Sequence, residues 1–195
     1  MNKRDRLLLL TTQYNQGDPA RIQHFWKVYA YAAMIARAEG LDKRARRIVE
    51  AAAIVHDVGI RAAQRKHGSS AGPLQEREGP AEARRLLEAA GYDQDVIERV
   101  AYLVGHHHTY EGIEGDDYRI LVEADFLVNL QEEGCDPMAV AGAREQIFRT
   151  QMGTSLLEAM FTGDGEAGTC PCCGARGEAG DRFCRQCGAL VCART

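Results

Sequence analysis

Apolar residues recur at three- and four-residue spacing through most of this chain, the pattern of helices that bury one face. Asp18-Pro19 reads as an N-cap followed by proline at the first helical position and Gly40 as a stop, which predicts a helix from about Pro19 to Glu39. His24, Val28, Tyr31 and Ile35 share one stripe of that helix. Asp42 caps the next helix, with Val49, Ala52, Ala53 and His56 in its stripe and Gly59 allowing a sharp exit. Asp116 opens a later one, on which Tyr118, Leu121, Val122, Asp125 and Val128 align. A further stripe, Val96, Val100, Leu103 and Val104, runs into His106, His107 and His108. No sustained alternation precedes the tail, and Gly40, Gly91 and Gly134 stand where helices should end, so an all-α fold is expected.

At the amino terminus, a basic hexapeptide and four leucines (Leu7 to Leu10) read as a first amphipathic helix rather than a secretory leader. The apolar stretch is short, no small-residue cleavage site follows, and Gln13, Asn15 and Gln16 interrupt it. No segment is long enough to span a membrane, so a cytoplasmic protein is expected.

Four polar side chains break the apolar stripes: His24, the doublet His56-Asp57, and Asp125. Polar groups aimed into an apolar interior are costly unless something binds them. Each has an ordinary reading on its own, as a core histidine bonded to a carbonyl or an aspartate capping a turn. Together they form a mixed nitrogen and oxygen set that suits one divalent ion, Mn, Fe, Co, Ni or Zn, with coordination positions left open.

The segments "RIQHFWKVYAYA", "AAAIVHDVGI" and "ILVEADFLVNL" resemble the HD superfamily of metal-dependent phosphohydrolases, from about Arg21 to Leu130. "GPAEARRLLEAAG" is similar to the middle helix of that family and "VAYLVGHHHTYEG" to its second histidine cluster. The resemblance implies a helical bundle, a single divalent metal held by His24, His56, Asp57 and Asp125, and hydrolysis of phosphate esters, often of nucleotides. Such a metal activates water and polarises the phosphoryl group. Groups expected to assist around it are Asp57 itself, Lys27 one turn after His24, Arg61 just past Gly59, and His106 and His107. Lys66 and His67 are placed in the loop after Arg61. The histidine run also has a plainer reading, as cations favoured at a helix C-terminus.

Dinuclear members of the superfamily carry an extra histidine before the middle helix, whereas this chain has none between His67 and His106. Glu76 or Glu78 could serve a second ion with His106 and His107, act as general acid or base, or simply flank a helix start at Gly79-Pro80. The Gly-Tyr-Pro element of the cyclic-dinucleotide phosphodiesterases is also absent from "HHHTYEGIEGDD".

With 195 residues, 45% of them hydrophobic, the chain can build one core and a small appendage. Residues 1–161 are expected to form the helical domain and "TGDGEAGT", residues 162–169, a flexible linker. In residues 170–195, Cys170, Cys173, Cys184 and Cys187 make two Cys-x-x-Cys pairs, each followed by glycine, the spacing of a structural zinc ribbon. A disulfide framework is the alternative. So short a segment needs the metal to fold. Cys172 and Cys192 are spares, and Cys135 reads as structural. The tail has an arginine excess, which the charge of a four-thiolate zinc centre offsets, so protein contact is as reasonable for it as nucleic acid.

The net charge of -4 argues for a small phosphorylated metabolite or nucleotide as substrate rather than a polyanion. Two other readings are a di-iron oxygenase on the same fold and a ligand-sensing module whose ribbon contacts a partner.

Overall fold

The structure, a computed structural model, describes residues 1–134, 136–161, 173–175 and 184–188. The described residues contain helices and no strand. Met1–Leu157 form one compact unit, and a second begins at Glu158. Cys135, Cys170, Cys172, Cys192 and the expected linker at 162–169 lie outside the described residues.

The helices are α1 (Lys3–Tyr14), α2 (Pro19–Ala38), α3 (Lys43–Val55), α4 (Gly59–His67), α5 (Gly72–Ala90), α6 (Gln94–Val104), α7 (Asp116–Glu132), α8 (Pro137–Gln146) and α9 (Gln151–Phe161). One turn of 3-10 helix, His56–Val58, joins α3 to α4. The cap chemistry read from the sequence is in place: Asp18 accepts the Arg21 N–H and Asp42 the Ala45 N–H. Gly91 ends α5 in the left-handed conformation at φ 86°, where a side chain would be strained.

Helix α3 is the axis of the bundle. Ile48, Val49 and every residue from Ala51 to His56 are buried, and α2, α6 and α7 pack around it. Its alanines let those neighbours approach closely, while each buried Val, Ile or Leu contributes about 1.5–3 kcal/mol of apolar burial. Buried on all sides, the end of α3 leads into the turn that carries His56 and Asp57 inside this unit.

Two expectations need correction. Lys66 and His67 are not in a loop, because α4 runs to His67 and the connection to α5 is only 68–71. Nor does a helix start at Gly79-Pro80, since α5 begins at Gly72 with Pro73 in its first turn and carries Pro80 in its interior. The reason lies in packing: Gly79 faces Gly59 across the α4–α5 contact, where a Cβ on Gly59 would come within 2.5 Å of the Gln75 carbonyl oxygen. Pro80 has no N–H to offer the Glu76 carbonyl one turn earlier, so the helix continues there with one backbone hydrogen bond fewer. Among the described residues no helix is long and apolar enough to cross a membrane.

Candidate metal centre

Three elements converge on one point. α2 supplies His24, the 3-10 turn at the end of α3 supplies His56 and Asp57, and α7 supplies Asp125. His56 is fully buried, and His24 and Asp125 nearly so.

The orientation of each imidazole follows from what its outer nitrogen touches. His56 Nδ1 lies 2.9 Å from the Ala53 carbonyl oxygen, which can only accept, so Nδ1 carries a proton and Nε2 is the nitrogen turned to the centre. His24 Nδ1 lies 2.9 Å from Glu132 Oε2 and is fixed the same way by a carboxylate. The two Nε2 atoms then face each other at 3.2 Å. Asp125 Oδ1 is 3.2 Å from one and 3.4 Å from the other, and Asp57 Oδ2 is 3.5 Å from both.

Four electron-rich atoms at that separation repel one another unless a cation or a proton lies among them. Ligand atoms about 2.1 Å from an ion and at right angles are about 3.0 Å apart, so the spacing fits a shared ion. The protonation balance shows the same demand for positive charge. Burial opposes a charge on His56, yet the adjacent Asp57 and Asp125 carboxylates outweigh it and push its pKa up to about 9. Both carboxyls, although burial opposes their charge, are held well below the usual range by the surrounding imidazoles.

A second group of donors adjoins the first. Asp57, His107 and His108 bring ligand atoms within 4.8 Å of one another, as do His24, His56 and Asp57. His107 is buried and bonded through Nδ1 to the Val104 carbonyl oxygen at 2.8 Å, which leaves Nε2 bare, 3.7 Å from Asp57 Oδ1. The Nε2 atoms of His107 and His108 are both buried without a hydrogen-bond partner, a costly state that a cation relieves. Burial and then the neighbouring His107 push the His108 pKa down to about 4, so its ring is neutral and fit to ligate. Asp57 thus stands between two donor sets.

The remaining sequence-derived candidates fall elsewhere. His106 is not brought to the centre: its Nδ1 donates to the Tyr102 carbonyl oxygen at 2.7 Å, and its ring stacks on Tyr102 at 4.2 Å between centroids. His108, passed over in the sequence reading, takes that place because α6 ends at Val104 and the turn beyond it breaks the helical projection. Glu76 fixes that turn, its Oε1 accepting the His108 N–H and the Thr109 hydroxyl, each at 3.0 Å. Glu78 is occupied with Lys66, His67 and Arg77.

Arg61 also points away, since two residues past Gly59 it is on the outer side of α4. There its guanidinium donates to the Tyr14 carbonyl oxygen and lies 5.9 Å from the Tyr14 ring. Lys27 acts at one remove through an ion pair with Glu132 at 2.6 Å, on the carboxylate that orients His24. Glu132 is a positioning residue that the sequence reading missed, although its place seven residues after Asp125 puts it on the same helix face.

Three of the four expected ribbon cysteines are described. Cys173, Cys184 and Cys187 bring their sulfurs within 4.8 Å of one another, with Cys173 Sγ 3.6 Å from Cys184 Sγ. The backbone N–H groups of Cys187 and Gln186 lower the Cys184 thiol pKa to about 7.

The family model described as the HD domain matches residues 21–144. The chain belongs to the HD domain family, and its clustered histidines and aspartates could hold a divalent metal ion. Among solved structures it is similar to a predicted HD superfamily hydrolase from an uncultured Thermotogales bacterium. The two are 24% identical with a TM-score of 0.57, over 78% of this chain and 82% of that one. Comparison with curated proteins gives no match.

Proposed function

We propose that the protein is a phosphohydrolase that uses a divalent transition metal to cleave a phosphate ester of a small metabolite or nucleotide. The observation that carries the reading is the pair of opposed Nε2 atoms of His24 and His56, set against Asp57 and Asp125. These four side chains would hold the ion. An ion so held supplies acidified water near neutral pH and a Lewis acid for a phosphoryl oxygen.

The chain's own groups prepare that chemistry. Glu132 and the Ala53 carbonyl oxygen hold Nδ1 of each ring, so both Nε2 atoms face the site, and a cation bound there would take the place of the proton that the carboxylates favour on His56. Asp57 stays ionised between the two donor groups, with His107 and a neutral His108 on its other side. A cavity of about 370 Å³ reaches His24, Asp57, His108 and Asp125, giving a small substrate access to the donors.

The second donor group favours one further reading, a di-iron oxygenase, which bound-iron counting and substrate-dependent oxygen uptake distinguish. In the tail, Cys170, Cys173, Cys184 and Cys187 are proposed to hold a structural zinc. Two sulfurs about 2.3 Å from a tetrahedral ion are about 3.8 Å apart, close to the spacing of Cys173 and Cys184.

The test is phosphate release by the purified chain, supplied in turn with Mn, Fe, Co, Ni or Zn, from a panel of sugar phosphates and nucleotides. Metal-dependent release that His56→Ala abolishes is expected. No release from any combination, or release that persists in His56→Ala, contradicts the proposal.

A further inference from the structure

One cationic side chain on the cavity wall has no task in the metal centre. Arg21 precedes His24 by one turn of α2, and both line the 370 Å³ cavity. It is the only lysine or arginine among the described lining residues. Asp18 clamps it twice, with one carboxylate oxygen on the Arg21 backbone N–H and the other on Nε, each at 3.0 Å.

That clamp fixes the guanidinium but uses little of its donor capacity. Nη1 is buried with no hydrogen-bond partner. A purely structural arginine would satisfy that group; here a planar donor fork is held rigid, partly unsatisfied, beside a candidate hydrolytic centre. Phosphoryl oxygens are the acceptors such a fork fits best. Lys27, the other nearby cation, is paired to Glu132 and does not line the cavity.

The charges around Arg21 limit what else the ligand can carry. Asp57 and Asp125 match the two charges of one divalent ion, Asp18 matches Arg21, and Lys27 matches Glu132. Glu133 also lines the cavity and has no ion pair among the described residues. A first phosphoryl group would meet the metal and Arg21, whereas a second or third would meet the uncompensated carboxylate of Glu133.

We propose that Arg21 anchors the phosphoryl group of the substrate, and that the uncompensated Glu133 carboxylate on the cavity wall confines the site to phosphomonoesters whose organic part carries no further negative charge. This rests on the phosphohydrolase reading and narrows it to a substrate class.

The experiment uses the full chain loaded with manganese, titrated with inorganic phosphate by calorimetry, as wild type, Arg21→Met and Arg21→Lys. Arg21→Met should bind phosphate roughly 10- to 100-fold more weakly at unchanged manganese content, the loss expected for a hydrogen bond to a charged group. Lysine should restore only part, because it offers a point charge in place of a fork. Millimolar guanidinium ion should recover part of the phosphate affinity of Arg21→Met, a rescue that a merely structural role would not produce.

In turnover, a nucleoside monophosphate should be preferred to the triphosphate of the same nucleoside. Equal phosphate affinity in wild type and Arg21→Met, or equal use of mono- and triphosphate, overturns the proposal. Should the wild type hydrolyse nothing, the phosphohydrolase reading falls by itself, and the calorimetric comparison still decides whether Arg21 is an anion anchor.

Discussion

Removing Glu132 tests whether the centre depends on support from outside its ligands. Glu132 touches no ion position; it accepts the Nδ1–H of His24 at 2.9 Å and pairs with Lys27 at 2.6 Å. Partners of this kind to a ligating histidine are typically worth 10- to 100-fold in metal affinity. Because the Glu132 side chain is 34% exposed and shared with Lys27, solvent screening places it at the lower end. Glu132→Ala should therefore weaken binding about tenfold, or about 1.4 kcal/mol. Glu132→Gln keeps an acceptor for Nδ1–H and loses only the charge, worth about 0.5 kcal/mol for a partly exposed pair, or two- to threefold. Manganese suits the assay, since this hard ion prefers the nitrogen and oxygen donors over the cysteine sulfurs. Titration of the free-manganese electron paramagnetic resonance signal gives the affinity of all three proteins. Wild-type affinity in Glu132→Ala, or a larger loss in Glu132→Gln than in Glu132→Ala, would refute the reasoning.

Gly59→Ala should destabilise the fold by about 1–3 kcal/mol, because its Cβ meets the Gln75 carbonyl oxygen and the Gly79 backbone rather than a movable side chain. The thermal midpoint should fall on the order of 2–4 °C per kcal/mol, and an unchanged midpoint would mean that α4 and α5 are not so closely apposed. Glu78 has its pKa lowered to about 2 by Lys66 first, then His67 and Arg77. A lowered carboxyl pKa means that the stabilisation is complete above the unfolded value near 4.5 and is lost as pH falls towards 2. Denaturant curves of wild type and Glu78→Gln should accordingly differ at pH 7 and converge by about pH 2; a gap that widens on acidification would contradict the assigned partners.

The helices and the four central donors were legible because their signals are local. Asp18-Pro19 and Asp42 cap where their chemistry requires, and His24, His56 and Asp125 sit on apolar stripes that project inward at 3.6 residues per turn. That projection holds only while a helix continues. His106 and His108 exchange roles because α6 ends at Val104, after which direction is set by Glu76 from another helix. Arg61 looked close because it follows the His-Asp doublet in sequence, yet two residues of α4 are enough to turn it outward onto Tyr14. Pro80 misled for a similar reason: proline marks a helix start by local preference, and only the glycine contact between α4 and α5 shows why the helix continues through it. Glu132 and Arg21 carried a readable signal, lying on the faces of Asp125 and His24 at helical spacing, but their charge alone reads as a solvated surface.

The most direct measurement is elemental analysis of the purified full chain beside the double variant His56→Ala/Asp57→Asn, with helix content checked by circular dichroism. The wild type should hold at least one more divalent transition ion per chain than the variant, with both equally helical. Equal ion content in two equally folded proteins would contradict the claim that these buried side chains exist to grip a cation.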